Sequence, residues 1–518
     1  MARGKSKEVC GVVENRVVRL EGLRPDEKAL SLIDAATAER LCVLPLELTS
    51  DGVLRAMVED PDDLHCADDL RALTRCQVKL MRSTVADLRA EIRRIYFFQK
   101  SIETLSGRLL AEERGARQRA EVRDDSSPAA EIVQKIFLQA LRERASDIHL
   151  EPHEDGLRVR YRIDGRLVLA LQLSGALHPS LTTRIKVMAG MDIAKKYTPQ
   201  DGRMMVSFEG RNVDVRVSTL PTIHGEKTVM RLLDPKEANV GLGGLGCTDF
   251  ELQGIKKLLR VPYGLILNTG PTGSGKSTTL YAMLQQLDLF QFNAVAVEDP
   301  VEYSFSNVSQ VMVDERSGMT FGSALRSILR QDPDIILVGE IRDPETAMLA
   351  VQAALTGHLV LATVHANDAP SAPARLLNMG VPPYQLAAAL KGVMAQRLVR
   401  VLCSSCRRAV FADVPALRHM GIPADARIYS AGRCAACSGR GYRGRSGLFQ
   451  IMHVDAELSD MIAAEATSSE LADAARRKGM RTLWQAALDK VLLGVTSLEE
   501  ALYAVGEDAV TGGSDIAR

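Results

Sequence analysis

The 518-residue sequence is poor in aromatic residues and carries no net charge. Aromatic side chains make up 4% of the chain, with a single tryptophan, and 65 basic residues are balanced by 65 acidic ones. Proteins that bind single-stranded nucleic acid combine a basic groove with aromatic side chains on which the bases stack. Because the sequence has neither feature in any abundance, we expect no nucleic-acid partner.

Long hydrophobic runs are also missing. No segment approaches the roughly 20 apolar residues that a membrane-spanning helix requires. The basic start at residues 1–7 is not followed by the apolar core of a secretory signal. We therefore expect a cytoplasmic protein that reaches a membrane only through a partner.

The nine cysteines do not form the pattern of a disulfide framework, since their number is odd and five of them are scattered. The other four form two C-x-x-C pairs: Cys403, Cys406, Cys434 and Cys437. Each pair places two thiolates on one tight turn, and two pairs supply the four ligands of a tetrahedral zinc site. Redox-active pairs are the alternative. Four cysteine ligands leave no open position on the metal, so the predicted zinc is structural.

Length and changes of composition divide the chain into several modules. A length of roughly 150 residues per domain predicts about three domains. The predicted boundaries are a tail at 1–24, an α/β module at 25–98, a charged linker at 99–127, a small α+β module at 128–238, a parallel α/β core at 239–400, a zinc-binding subdomain at 401–446, a helical region at 447–508 and a tail at 509–518.

Local patterns give the main elements of these modules. In the first module, apolar spacing predicts helices at 29–36 and 85–95 and a strand at 53–58. In the second, the alternation at 157–163, followed by an Asp-Gly turn, predicts a hairpin within a small mixed sheet. The glycine-rich stretch at 241–244 is a hinge candidate.

An apolar strand at 264–268 leads directly into the pattern G-x-x-x-x-G-K-S. Its glycines let backbone N–H groups curl around phosphate oxygens, and a following helix adds its N-terminal partial charge. We expect Lys276 to bridge the β- and γ-phosphates of ATP and Ser277 to ligate Mg²⁺. The predicted nucleotide-binding residues are Gly270, Pro271, Thr272, Gly273, Ser274, Gly275, Lys276, Ser277 and Thr278.

Two further apolar strands end in acidic residues. The strand at 334–338 is followed by Gly339 and Glu340, and a strand near 297 by the acids Glu298, Asp299 and Glu302. Acids at the C-terminal edge of a parallel sheet can hold Mg²⁺ through water and orient an attacking water. Glu298, Glu302 and Glu340 are therefore candidate catalytic acids. The alternative for each is a surface acid at a strand end, and the sequence leaves the general base open.

Taken together, these segments resemble the ATPases of type II secretion and type IV pilus assembly. The resemblance covers about residues 128–505 and is carried in order by segments 146–152, 199–203, 225–227, 298–302, 339–343 and 356–368. Gly339 differs only from the broader P-loop pattern, since many P-loop ATPases carry aspartate at the position before the acid that corresponds to Glu340. The resemblance implies a RecA-like P-loop domain preceded by a PAS-like α+β module, in a hexameric ring with ATP between the two halves of each subunit.

The resemblance also implies roles for two histidines and two arginines. His358 and His365 fall in the family's His box and are expected near the nucleotide, as nucleotide-sensing groups; a lone histidine is otherwise a core or surface residue. Arg216 and Arg231 are expected to reach the γ-phosphate across the closed cleft or from a neighbouring subunit. The alternative for both arginines is a solvated strand face.

The resemblance extends to residues 25–96, which in this family dock onto the cytoplasmic domain of a membrane-anchored assembly-platform protein. Some relatives bind cyclic di-GMP there through a leading motif that is missing or degraded here, which argues against such regulation but leaves the question open. The cysteine pairs are typical of the assembly-type ATPases. We expect a homohexameric motor, peripheral at the inner membrane, that serves type II secretion, with type IV pilus assembly as the alternative. A nucleic-acid translocase and a non-hydrolysing ATP-binding scaffold are the rivals from other classes.

Overall fold

Four β-sheets organise the chain. The structure, a computed structural model, describes residues 25, 27–49, 51–82, 88, 92, 96, 102, 104–111, 127–235, 240–411, 420, 422–423 and 426–506. Over these residues the strands form sheets of three, six, seven and two strands. None of the helices in this part of the chain is both long and apolar enough to span a membrane.

The three-stranded sheet belongs to the N-terminal module. Its elements are α1 (Glu27–Ser31), α2 (Ala35–Leu41), β1 (Leu44–Leu48), β2 (Val53–Val58), α3 (Leu64–Thr74) and β3 (Gln77–Arg82). The predicted strand at 53–58 is confirmed. The single helix predicted at 29–36 is two helices, because Asp34 caps a new helix by accepting a hydrogen bond from the Thr37 amide. Most of the helix predicted at 85–95 lies outside the described residues.

The six-stranded sheet forms the second module together with two helices. These elements are α4 (Pro128–Arg142), β4 (Ala145–His153), β5 (Gly156–Ile163), β6 (Arg166–Leu173), α5 (His178–Met188), β7 (Gln200–Phe208), β8 (Arg211–Thr222) and β9 (Gly225–Leu233). The order is β6-β5-β4-β9-β8-β7, and every neighbouring pair is antiparallel. The prediction of a mixed sheet is therefore wrong. Tight turns such as Asp164–Gly165, both with positive φ, reverse the chain between neighbouring strands.

Part of the predicted linker belongs to this second module. Residues 104–111 are helical. Ile102, Leu105 and Leu109 are buried in the same hydrophobic core as the apolar face of α4. The predicted linker, expected to be partly helical at most, is therefore helical over 104–111 and packed against the second module there.

The seven-stranded sheet carries the ATPase core, in the order β12-β11-β13-β14-β10-β15-β18. The strands from here to the end of the chain are β10 (Gly264–Thr269), β11 (Ala294–Glu298), β12 (Ser309–Met312), β13 (Ile335–Val338), β14 (Leu359–Val364), β15 (Leu390–Leu402), β16 (Arg408–Phe411), β17 (Arg427–Ser430) and β18 (Tyr442–His453). All neighbours in the large sheet are parallel except β15 and β18. The C-terminal ends of β10, β11, β13 and β14 therefore meet at one edge.

Helices cover both faces of the large sheet, and two hydrophobic cores result. The helices are α6 (Asp249–Leu258), α7 (Lys276–Leu284), α8 (Phe321–Ile328), α9 (Pro344–Leu355), α10 (Ser371–Asn378), α11 (Pro383–Ala389), α12 (Ala456–Ala463), α13 (Ser468–Arg477), α14 (Leu483–Leu492) and α15 (Leu498–Val505). The region predicted as helical from 447 onward begins inside β18. The glycine-rich hinge candidate forms a short 3-10 helix, Leu242–Leu245, whose two leucines are buried.

The second module and the ATPase core face each other across a cleft of about 2080 Å³. At one side the modules touch through the β5–β6 turn, where the Asp164 carboxylate accepts a hydrogen bond from the Gly444 amide at 3.0 Å. Beside it the Arg166 guanidinium lies 3.8 Å from the ring centre of Tyr503 on α15. The C-terminal edge of the large sheet opens into this cleft.

Candidate active site

The phosphate loop joins β10 to α7, as the sequence predicts. Its glycines are required by the space around them. A Cβ on Gly270 would lie 2.5 Å from the Gln396 carbonyl oxygen, and one on Gly275 would lie 2.9 Å from Gln396 Nε2. Both glycines also have positive φ. The loop is therefore packed closely against Gln396 of β15.

Lys276 begins α7 and lies over the loop that precedes it. Its ammonium donates hydrogen bonds to the carbonyl oxygens of Gly270 at 2.8 Å and Pro271 at 3.1 Å. Burial lowers the pKa of Lys276, while the nearby Glu340 carboxylate acts in the opposite direction. An ammonium at this point can meet the β- and γ-phosphates of a nucleotide bound by the loop.

The other predicted nucleotide-binding residues, from Pro271 to Thr278, also line the cleft. The Ser274 hydroxyl is buried and has no hydrogen-bond partner among the described residues, so it is free to donate to a phosphate oxygen. Ser277 is exposed at the first turn of α7, where its hydroxyl can ligate Mg²⁺. The donors of the loop therefore fit Mg-ATP.

Glu340 follows β13 at the same edge of the sheet. Its Oε2 lies 2.5 Å from Arg342 Nε and 3.7 Å from His365 Nε2. Together with the electrostatic contact to Lys276, these distances place Glu340 beside the phosphate loop. Gly339, which stands where many P-loop ATPases carry aspartate, lies against Glu298: a Cβ there would be 3.2 Å from the Glu298 Cα.

Glu298 is the last residue of β11 and is only 4% exposed. The Tyr281 hydroxyl donates a hydrogen bond to one carboxylate oxygen, and Gln310 Nε2 donates to the other at 3.0 Å. Burial raises the pKa of Glu298, and the two hydrogen bonds reduce that rise. The sequence analysis missed Tyr281 and Gln310, because neither residue belongs to a motif and only the folded sheet brings them to Glu298.

Arg216 reaches across the cleft to the acidic segment that follows β11. Its Nη2 donates to the Val301 carbonyl oxygen at 2.7 Å, and its Nη1 lies 3.3 Å from Glu302 Oε2. Glu302 is therefore paired with the second module in this structure. Arg216 is thus directed at the ATPase core, where its contacts are to the acidic segment; that it reaches the γ-phosphate stays a prediction.

Arg231 lies directly opposite Arg216 in the register of β8 and β9. Its Nε is 3.3 Å from Asp147 Oδ1, and its side chain is 59% exposed. The same row of the sheet continues to Arg203 on one side and, through Asp147, to Arg162 on the other. This face of the module therefore presents a row of arginines, of which Arg162 and Arg231 line the cleft.

The two predicted histidines lie at opposite ends of β14. His365 follows the strand and lines the cleft beside Glu340. His358 precedes the strand, and its carbonyl oxygen accepts a hydrogen bond from the Gly264 amide at the start of β10. The expectation that His358 lies near the nucleotide is wrong for this chain, because the phosphate loop is at the other end of β10. Its Nδ1 instead lies 2.9 Å from the Ala353 carbonyl oxygen near the end of α9.

Arg397 is a cation of the site that the sequence analysis missed. It follows Gln396 on β15 and donates to the carbonyl oxygens of Gln396 at 3.1 Å and Asn367 at 2.7 Å. Burial lowers its pKa, and it lines the cleft beside the phosphate loop. No short sequence pattern marks it, because β15 reaches the loop only in the folded sheet.

The four predicted zinc ligands come together between β15 and β18. The Sγ atoms of Cys403 and Cys434 are 3.6 Å apart, those of Cys406 and Cys437 are 3.8 Å apart, and all four lie within 4.8 Å of one another. Zn–S bonds of about 2.3 Å give tetrahedral S–S edges of about 3.8 Å. The cluster therefore fits a structural zinc ion. The inserted subdomain runs between the two strands, with the β16–β17 hairpin inside it.

Comparisons with known proteins agree with this geometry. The profile of the type II/IV secretion system protein family matches residues 122–503, and that of the MshEN domain matches residues 15–102. The second match begins inside the predicted N-terminal tail.

Individual relatives point the same way. The chain is 48% identical to the type II secretion system protein HxcR of Pseudomonas aeruginosa over 378 residues, which cover 73% of this chain and 77% of that protein. It is 39% identical to the type IV pilus assembly ATPase PilB of Myxococcus xanthus over 505 residues, which cover 95% of this chain and 89% of that protein. Among solved structures, the Legionella pneumophila ATPase DotB superposes with a TM-score of 0.55 at 21% identity, covering 72% of this chain and 95% of that one, and so shares the fold.

Proposed function

The chain belongs to the type II/IV secretion system protein family and is an ATP hydrolase of that family, and we propose that it is a hexameric motor that assembles a pseudopilus in type II secretion. The observation that carries the proposal is the meeting of the phosphate loop, Glu298 and Glu340 in one cleft. Lys276, Glu298 and Glu340 together form a complete set of groups for hydrolysis, which argues against a non-hydrolysing scaffold.

In this proposal the reaction is an in-line attack of water on the γ-phosphate. Lys276 and the loop amides stabilise the charge that develops on the phosphate oxygens. The Ser277 hydroxyl would hold Mg²⁺, which would supply positive charge to neutralise the phosphate oxygens. Glu298 accepts the proton of the attacking water, since a buried carboxylate with a raised pKa is the stronger base. The γ-phosphate would lie on the side of the cleft where Glu340 contacts His365 and Arg342, and these three side chains would position it.

The second module supplies further positive charge. Arg216 and Arg231 lie on the face that looks onto the cleft, and closing the cleft, or docking a neighbouring subunit, brings such guanidinium groups to the γ-phosphate. A cation supplied in this way raises the rate by roughly 10³–10⁵ in other phosphate-transferring enzymes. A ring provides the second of these routes, in which a neighbouring subunit supplies the guanidinium groups.

The N-terminal module is the proposed link to the membrane. The match to the MshEN domain supports a docking role for it, with the cytoplasmic domain of a membrane-anchored platform protein as the partner. The motor would then be cytoplasmic and peripheral at the inner membrane. Turnover of ATP would change the angle between the modules and push the platform, which adds subunits to the filament.

Assembly of a type IV pilus is the second candidate function. Identity over the aligned residues is higher for the secretion relative, at 48% over 378 residues against 39% over 505 residues for the pilus relative. However, the alignment with the pilus assembly ATPase spans 95% of this chain and so includes the N-terminal module, whereas the secretion relative aligns over 73%. Deleting the gene in its own cells separates the two functions: loss of enzymes from the culture medium supports secretion, and loss of sheared surface pili supports the pilus.

Steady-state Mg-ATP turnover of the full chain tests the activity. We expect Lys276→Ala to abolish turnover, because the ammonium over the loop is lost. Lys256→Ala is the matched control, since this lysine is exposed on α6 outside the cleft, and it should leave turnover unchanged. Stimulation by DNA would favour a translocase, and tight ATP binding by the wild type without turnover would favour a scaffold.

A further inference from the structure

The Glu298 carboxylate accepts hydrogen bonds from two residues, Tyr281 and Gln310, that belong to no sequence motif. We propose that Tyr281 and Gln310 are positioning residues, which hold the Glu298 carboxylate in the orientation required to accept the proton of the attacking water. This inference rests on the proposed function, because the two residues are proposed to orient Glu298, the proposed general base. It identifies a structural link between the nucleotide-binding helix and the acid that acts on the water.

Tyr281 donates the first of these hydrogen bonds. It lies on α7, five positions after Lys276, so the helix that begins at the phosphate loop also carries the hydroxyl that bonds Glu298. The ring is 2% exposed and packs against Phe305 at a centroid distance of 4.8 Å and edge-on against Tyr303 at 6.4 Å. These contacts fix the ring, so the direction of the hydroxyl is set by the fold.

Gln310, on β12, donates the second hydrogen bond. Its Nε2 donates to Glu298 Oε1 at 3.0 Å and to the Tyr303 carbonyl oxygen at 2.9 Å, while its Oε1 accepts from the Phe305 amide at 2.9 Å. Both ends of the amide are therefore bonded, and its orientation is determined. Through Gln310, the segment that contains Tyr303 and Phe305 is thus connected by hydrogen bonds to the Glu298 carboxylate.

With both hydrogen bonds in place, the Glu298 carboxylate can still accept a hydrogen bond from a water molecule. Each carboxylate oxygen has two lone pairs, and one neutral donor on each oxygen leaves capacity for a water molecule. The backbone of β13 closes the space beside the residue, since Gly339 lies against it. Burial and the nearby Glu302 raise the pKa of Glu298, whereas the hydrogen bonds from Tyr281 and Gln310 lower it. Removing either donor therefore raises the pKa further.

Tyr281→Phe in the assembled full-length protein is the direct test. We expect kcat to fall about tenfold, the loss associated with one hydrogen bond to a charged group. The KM for ATP should change less than about twofold, because Tyr281 does not touch the phosphate loop's donors. The acidic limb of the kcat profile should move to higher pH, because a carboxylate with a higher pKa is ionised only at higher pH.

Gln310→Met is the second variant, with a side chain of similar size and no amide, and the same three changes are expected from it. Tyr442→Phe is the matched control. It removes another buried tyrosine hydroxyl, bonded at 2.7 Å to Ser497, and should shift neither kcat nor the acidic limb. Melting temperatures of all three variants separate these effects from unfolding.

The outcomes distinguish this inference from the proposed function. If wild type hydrolyses ATP and Lys276→Ala does not, but Tyr281→Phe and Gln310→Met keep the wild-type kcat and acidic limb, the positioning role is overturned. A uniform loss of kcat at every pH in both variants also overturns it, since that result indicates a structural defect alone. If the wild type itself does not turn over, the proposed function fails first.

Discussion

Two histidines seven positions apart mark opposite edges of the large sheet. β14 separates His358 from His365, and about 3.3 Å per strand residue puts the two roughly 20 Å apart. His365 lies 3.7 Å from Glu340, whereas His358 bonds the end of α9. The motif contains both residues, but only the direction of the strand decides which of them reaches the phosphate loop.

The pair therefore gives a matched test. His365→Ala should lower kcat at least about tenfold, because the imidazole beside Glu340 is lost from the γ-phosphate side of the cleft. His358→Ala should keep kcat and lower the melting temperature by a few degrees, since it loses a structural hydrogen bond worth about 1 kcal/mol. Equal kcat values for the two variants would contradict this assignment.

Glu151, in one of the segments that carry the family resemblance, is a structural acid. It bonds Arg160 through both oxygens, at 2.6 and 2.9 Å, and its Oε1 lies 2.8 Å from Lys227. Burial alone would raise its pKa, but the hydrogen bonds from Arg160 and Lys227 outweigh burial and lower the pKa to about 2. The ionised form is thus favoured in the folded chain.

Glu151→Gln should therefore destabilise the protein by about 3 kcal/mol at pH 7, the cost of breaking a buried ion pair. The unfolded carboxyl, with a pKa near 4.5, binds its proton more readily than the folded one. The stabilisation is therefore complete above about pH 4.5 and is lost as the pH falls towards 2. Melting temperatures of both proteins should converge over that range; a constant difference would argue against the ion pair.

At the scale of single residues, the sequence predicts the site residues that belong to short contiguous motifs. The phosphate loop and the cysteine pairs are contiguous, so their spacing alone sets their local geometry. Tyr281, Gln310 and Arg397 act on residues far along the chain, and no local pattern encodes such contacts. The general base was left open for the same reason: its environment is made by three different elements.

Secondary-structure elements were predicted well where the sequence alternates strictly, as at 157–163, or forms an apolar run that leads directly into a motif, as at 264–268. The strands at 157–163 and 264–268 and the helix of the phosphate loop were placed correctly, to within a few residues. The sequence analysis did not identify β4, because the alternate residues Asp147, His149 and Glu151 face the charged side of the sheet while Ile148 and Leu150 enter the core. These buried polar residues concealed the alternating pattern of an ordinary strand.

The zinc loop is the element that metal binding should hold together. A Cβ on Gly432 would lie 2.0 Å from the Cys406 carbonyl oxygen, so the two cysteine turns are packed tightly against each other. We expect Cys437→Ser to lose bound zinc and to lower the melting temperature, because three thiolates no longer satisfy a structural site. Cys76→Ser, in the N-terminal module, is the control and should retain one zinc per chain by elemental analysis. Full zinc content in Cys437→Ser would contradict the site.

On the scale of the whole molecule, the site is a cleft between two modules. The modules touch through Asp164 and Gly444 at one side and through Arg216 and Val301 at the other. The sequence predicted both modules but not these contacts, since they join residues 280 and 85 positions apart. An active site divided in this way can be opened and closed by rotation of one module, which is what a motor requires.

The measurement that tests the motor most directly is Mg-ATP hydrolysis by monomer and hexamer fractions separated by size, with Lys276→Ala treated in parallel. We predict that turnover is concentrated in the hexamer fraction and is absent from the variant, because in the proposed ring a neighbouring subunit brings the arginines of its second module to the γ-phosphate. A monomer fraction that hydrolyses ATP as fast per chain as the hexamer would contradict the account, as would undiminished turnover by Lys276→Ala.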